Sequence, residues 1–344
     1  MHASLTAPAR STSHLFARYP VRIAMLLGIL VTVAACDDRS TPTAPATPAA
    51  PSLGVNNGGN NRRILFASSR DEIGNMEIYS MNPDGSGLDR LTESAAFDVQ
   101  PAWSPDGKRV AFVSNRHDPN GEIYVMNADG TAVQRLTYDD HLDEAPTWSK
   151  DGKRIAFVST RDDEQGEIYV MDASDGGAVS RLTDFVGTDG EPAWSPDGKQ
   201  IVFVSGRDAA SEGKTELYLV DVDTRQVSRL TWEGVRVQAP SWAPGGKQIA
   251  FNTLAQVPFG PNGSDVLAQD IYVLDLDGKR VTRLTGGPGG TNEFEPTWSP
   301  DGKLIAFVRE FDLNSDIAIM NANGTGVTVL KSNPAPDVSP AWNR

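Results

Sequence analysis

From residue 64 onward the chain is built of short apolar runs separated by turn-forming residues. Ile155-Ala156-Phe157-Val158-Ser159 is one such run, and Glu167-Ile168-Tyr169-Val170-Met171 is the next. Both are apolar on consecutive rather than alternate positions, the pattern of strands covered on both faces of their sheet. Ahead of each pair stands Pro-x-Trp-Ser, a third strand, followed by a Pro-Asp-Gly-Lys turn in which Gly is free to take φ > 0. A short Asp-Gly or Asn-Gly turn and an Arg-Leu-Thr segment such as Arg181-Leu182-Thr183 supply the fourth strand. We label the four A to D.

The four-strand unit repeats. Its Trp recurs at Trp103, Trp148, Trp194, Trp242 and Trp298, and a truncated copy ends at Trp342, with spacings of 45, 46, 48, 56 and 44. A period of about 40–50 residues with four short strands per unit predicts an all-β fold, a β-propeller. Residues 64–92 hold strands B, C and D without a preceding Trp strand, and Pro340-Ala341-Trp342 is a strand A with nothing after it. Joined, they make one composite blade beside five continuous ones. The prediction is a six-bladed β-propeller of four antiparallel strands per blade, closed by the C-terminal strand A and spanning 63–344.

Residues 1–62 follow a different plan. A basic stretch ends at Arg22, an apolar run extends from Ile23 to Ala35, and the single cysteine, Cys36, follows. Thirteen apolar positions are too few for a spanning helix of about 20 residues, so residues 1–35 read as a cleaved export signal. Val33-Ala34-Ala35-Cys36 resembles the bacterial lipobox, and the resemblance implies a lipid on Cys36. A plain secretory signal with an incidental thiol is the alternative. Residues 36–62 carry Thr, Pro, Ala, Asn and Gly, including TPTAPATPAAP and NNGGNN, and read as an extended tether. The expected location is extracytoplasmic, in a bacterial cell envelope, lipid-anchored on the periplasmic side or at the cell surface. A lone cysteine excludes an intramolecular disulfide and a Cys-based metal site. The net charge of −14 contains three N-terminal arginines and no N-terminal acid, so the remainder is more negative still. A nucleic-acid partner is excluded by that charge; basic proteins or divalent cations suit it, and solubility alone also accounts for it.

The repeated Pro-x-Trp-Ser-Pro-Asp-Gly-Lys, with Ile-x-Phe and Ile-Tyr-Val-Met, is similar to the PD40-type, WD40-like repeats of TolB and its relatives over about 280 residues. TolB itself carries a separate α/β domain ahead of its propeller, where this chain has a lipid signal and tether, so a Tol-Pal role is not implied directly. The resemblance places strand A innermost. The B–C and D–A connections then share one face, and their variation makes it the functional candidate. Five residues before each Trp stand Asp98, Asp143, Asp189, Val237, Glu293 and Asp337. These acids are expected to ring the channel mouth. Four residues after each strand-B Phe stand Arg70, Arg116, Arg161 and Arg207, replaced by Ala255 and Phe311 in the last two blades. Ion pairs fixing neighbouring blades are one reading; a Ca²⁺ site or a dock for a basic peptide segment, as TolB relatives hold a partner's extended segment, is the other.

Blade 5 lacks both the acid and the Arg and has the longest B–C connection, 256–269, where Phe259 is a candidate recognition residue. His117 and His141, with Asp118, Asp139, Asp140 and Asp143 near in sequence, read either as a metal site or as surface residues. The chain contains no Gly-x-Ser-x-Gly elbow, against a peptidase of the dipeptidyl peptidase IV type. An acidic face also disfavours a metal-dependent lyase of acidic polysaccharides. The expectation is a non-catalytic, monomeric envelope lipoprotein that binds a protein or peptide and holds no cofactor, with the propeller enzyme as the alternative.

Overall fold

The computed structural model describes residues 62–208, 213–258, 265–286, 291–330 and 332–343. Cys36, the signal segment and nearly all of the tether lie outside them, as does Phe259. Among the described residues twenty-four strands form six antiparallel four-stranded sheets. Five are continuous in sequence, with strands A at Asp98–Trp103, Asp143–Trp148, Asp189–Trp194, Arg236–Trp242 and Asn292–Trp298. The sixth is composite: Asp337–Trp342 pairs with Ile64–Ser68, which pairs with Glu77–Met81 and so to Asp89–Arg90. We number this closing blade 1 and the others 2 to 6 in chain order. Each strand A touches the strands A of both adjacent blades, so the six make the innermost ring.

Strands B and C are buried at nearly every position because sheets stack face to face around the ring. Trp148, Ile155, Phe157 and Tyr169 of blade 3 pack on Ala111, Val113, Ile123 and Val125 of blade 2. The same set recurs where Trp194 of blade 4 meets Ile168 and Val170 of blade 3. Arg109 seals the first of these interfaces: its guanidinium lies 4.6 Å from the Trp148 ring and donates to the carbonyls of Ala173 and Gly152.

Every strand A is bulged, and at each bulge the residue before the proline has positive φ. These are Gln100, Ala145, Glu191, Ala239, Glu295 and Ser339, with φ from 49° to 55°. The bulge turns the inner end of the strand, as bulges do at barrel rims. At alternate blades this residue also reaches its neighbour. Gln100 accepts from the Ala145 amide at 2.8 Å, Glu191 from that of Ala239, and Glu295 from that of Ser339 at 2.8 Å. Among the described residues this couples blades 2–3, 4–5 and 6–1, a threefold pattern inside the sixfold ring.

Blade 5 departs from the sequence expectation. Its segment 256–269 is not mainly a loop: strand B runs Gln248–Pro258 and strand C Asp265–Asp275, paired from Gln248↔Asp275 to Pro258↔Asp265. The apolar alternation that marks a strand is diluted there by Gln, Pro and Gly, so composition alone reads as a loop.

Interlocking extends to the outer edge. Gly176, in a C–D turn at φ 74°, sits so close to blade 2 that a Cβ would stand 2.1 Å from the Leu136 carbonyl oxygen. Gly234 has φ 65° with nothing within 4 Å. Gly176→Ala is therefore expected to lower stability by about 3 kcal/mol or more, whereas Gly234→Ala carries only the left-handed backbone cost of about 1 kcal/mol. Urea unfolding of the two variants checks the difference.

Candidate functional site

The start of strand A, the end of B, the start of C and the end of D all lie on one side of the ring, and the repeat fills that side with buried charge. Strand B ends in Ser-x-Arg in blades 1 to 4. The serine is buried, and its hydroxyl accepts from the Arg Nε, at 3.1 Å in Ser68–Arg70 and 2.7 Å in Ser159–Arg161. The guanidinium then lies over the strand-B Phe and the strand-C Tyr, as Arg116 does over Phe112 and Tyr124 at 5.5 and 5.1 Å. That stacking aims it at the first residue of strand A. Arg116 meets Asp98 at 2.7 Å, Arg161 meets Asp143 at 2.9 Å, Arg70 meets Asp337 at 2.6 Å, and Arg207 meets Asp189.

These pairs close within a blade, A to B, rather than between neighbouring blades. Asp98, Asp143, Asp189, Glu293 and Asp337 are each at most 5% exposed, so the channel mouth is not a crown of open carboxylates. The acids are held inside the blade ends. Glu293 is the variant: in blade 6 Arg309 occupies the serine position, and its Nε is 3.6 Å from the Glu293 carboxylate. Blade 5 has buried Val237 there.

A second ring of buried acids lies outside the first, at the start of strand C in blades 1 to 4, Glu77, Glu122, Glu167 and Glu216, and within the longer strands C of blades 5 and 6, Asp270 and Asp316. None of the patterns read from the sequence above marks this ring. In blades 1 to 5 its partners are the Arg-Leu-Thr segments, whereas in blade 6 the Ser332 hydroxyl and the Asn333 amide donate to Asp316. Arg135 pairs with Glu122 at 2.7 Å, Arg181 with Glu167 at 2.9 Å and Arg229 with Glu216 at 3.0 Å. In each of these blades the Thr hydroxyl donates to the same carboxylate and accepts the amide of the next strand-C residue. The signal was present as the joint recurrence of an acid before Ile-Tyr with Arg-Leu-Thr about 15 residues on.

Burial is the largest influence on the inner acids, and it raises the pKa of Asp98, Asp143, Glu293 and Asp337 above the usual carboxylate range. Asp189 is pushed up to about 6, against the pull of the Ser205 hydrogen bond and Arg207. His117 takes the place that Asp71, Asp162 and Asp208 hold in other blades, its Nδ1 2.7 Å from the Tyr124 hydroxyl. His141 lies 3.2 Å from Asp139. The two histidines thus have separate partners, and among the described residues no three His, Cys, Asp or Glu side chains are grouped to hold a metal ion.

A carboxyl whose folded pKa is raised keeps its proton more tightly folded than unfolded, so its contribution to stability falls as pH rises through the interval between the two values. For Asp189 that interval runs from 3.8 to about 6. Relative to Asp189→Asn, the wild-type protein is expected to lose on the order of 3 kcal/mol between those pH values. Paired urea titrations across that range measure it; parallel curves would contradict the assignment.

A sequence profile described as the TolB beta propeller domain matches residues 47–162 and 141–260. Among curated proteins, the Tol-Pal system protein TolB of Anaeromyxobacter dehalogenans is 45% identical over 51 residues, 15% of this chain and 12% of that protein. Dipeptidyl-peptidase 5 of Porphyromonas gingivalis is 36% identical over 52 residues, 15% of this chain and 8% of that one. The aligned stretches are thus about a blade long and a small part of either relative. Among solved structures, TolB from Acinetobacter baumannii superposes with a TM-score of 0.69 at 27% identity, covering 82% of this chain and 66% of its own. With the profile matching more than half of its length, the chain belongs to the TolB beta propeller domain family.

Proposed function

We propose that this protein is a non-catalytic envelope lipoprotein, anchored through Cys36, that binds a segment of a protein partner on the face formed by its B–C and D–A connections. One observation carries the binding reading. The six most exposed large apolar side chains among the described residues, Ile73, Tyr138, Val186, Trp232, Phe311 and Leu313, all stand in or beside those connections. Aromatic and aliphatic side chains gathered on one face are the usual anchors of a protein interface. The buried acids serve a different end in this reading: they hold the blade ends rigid so that the anchors keep their spacing.

A Tol-Pal-type role at the envelope is the precedent that the TolB relatives offer, and the lipid anchor rests on the lipobox resemblance and the tether composition. Several acyl chains on one cysteine would bind a membrane far more firmly than a single chain, at about 0.8 kcal/mol per buried CH₂. Cys36→Ser is expected to move the protein from the membrane to the soluble extracytoplasmic fraction and to abolish incorporation of an alkyne fatty acid. Retention in the membrane without that label would reject the anchor.

For the binding face, cross-linking and capture from native membranes are compared between the wild type and a Val186→Ser, Trp232→Ser double variant. Both positions are open to solvent, so the variant should unfold at the wild-type midpoint. Loss of the captured protein in the variant alone is the expected outcome; equal capture by both would move binding elsewhere.

A further inference from the structure

The two faces of the ring differ in charge as well as in apolar content. Seven of the eight described lysines stand in A–B or C–D turns: Lys108, Lys150, Lys153, Lys199, Lys247, Lys279 and Lys303. Of these eight, only Lys214 lies on the B–C and D–A side. The arginines of that side are largely spent on the buried acids, five on strand-C acids and five on strand-A acids. What that face shows to solvent is carboxylate, at Glu72, Glu93, Asp140, Asp184 and Glu233. These alternate around the rim with the apolar anchors: Glu72 adjoins Ile73, Tyr138 precedes Asp140 by two residues, and Trp232 precedes Glu233.

Two of the anchors already show the chemistry they accept. Arg135 lies 4.8 Å from the Tyr138 ring and Arg229 5.4 Å from the Trp232 ring, while the two aromatic residues remain 70% and 64% exposed. Aromatic faces flanked by carboxylates attract guanidinium and ammonium groups. From the separation of charge and the interleaving of anchors, we infer that the partner segment this face receives is cationic, with apolar side chains spaced between its lysines or arginines. The inference rests on the protein-binding reading and specifies its chemistry. The same field repels anionic lipid headgroups and nucleic acid.

The test uses the unmodified protein and a fluorescein-labelled peptide that alternates Lys with Leu and Trp, beside its Glu-for-Lys counterpart. Anisotropy should show binding of the first alone, weakening steeply with added salt. A loop-face variant, Glu72→Gln, Glu93→Gln, Asp140→Asn and Glu233→Gln, is expected to weaken binding by roughly tenfold or more. An opposite-face variant of equal charge change, Asp172→Asn, Asp175→Asn, Asp223→Asn and Asp277→Asn, should leave it within about twofold. Equal weakening by both sets, or equal binding of the Glu peptide, overturns the inference. The salt titration on the unmodified protein keeps the outcome decisive if a variant folds poorly. A captured partner that depends on Val186 and Trp232 but binds the loop-face variant normally and resists salt would leave the protein-binding reading standing and reject the cationic one.

Discussion

A sheet covered on both sides by other sheets has no face to give to water, and every other feature of this ring answers that constraint. Strands B and C must be apolar at consecutive positions, and the polar groups at blade ends must find partners inside the protein. Trp148 and its counterparts stand in the seams between neighbouring blades, and Arg109 closes the first of these over the indole. Gly176 is small because an outer turn must fit directly against the carbonyl of Leu136.

The blade ends meet the same constraint with charge. Carboxylates buried at the starts of strands A and C would be costly alone, since removal from water disfavours the ionised form. Each is offset locally: Arg116 is oriented by Ser114 and two aromatic rings before it reaches Asp98, and Glu167 gathers Arg181, Thr183 and the Phe185 amide. A buried pair of this kind is weak evidence for net stability but fixes geometry closely. Rigid ends allow short connections, and short connections place exposed side chains such as Val186 and Trp232 at set positions around the rim.

Much of this was legible in the sequence because the repeat imposes it at every blade. The Trp spacing, the Ile-x-Phe runs and the split first blade gave architecture and blade count without reference to distant contacts. The inner acids were found for the same reason, but their setting was misplaced: Asp98 and Asp143 read as a rim because they follow loops, whereas a bulge and an arginine fold them inward. The strand-C acids escaped notice because Glu167 looks like an ordinary polar residue at a strand start. The long hairpin of blade 5 was hidden by Gln, Pro and Gly, since pairing from Thr253↔Asp270 to Pro258↔Asp265 depends on cross-strand partners rather than on local alternation. The alternate coupling through Gln100, Glu191 and Glu295 was harder to see, because it recurs only at every second blade, with Ala145, Ala239 and Ser339 between.

The composite blade also sets an order of events. Ile64 pairs with Trp342, and the Asn343 amide donates to the Arg63 carbonyl, so the first and last described strands lie side by side. For a chain that emerges from its N-terminus, blade 1 waits with one edge unpaired until the strand Asp337–Trp342 has appeared. Joining segments so far apart in sequence carries a large loop-closure entropy and a high contact order, which slow folding. Blades 2 to 6 each draw all four strands from neighbouring sequence and can assemble as they arrive. The last strand therefore works as a latch, and until it engages the half-built ring exposes a sheet edge to chaperones, proteases and other copies of itself.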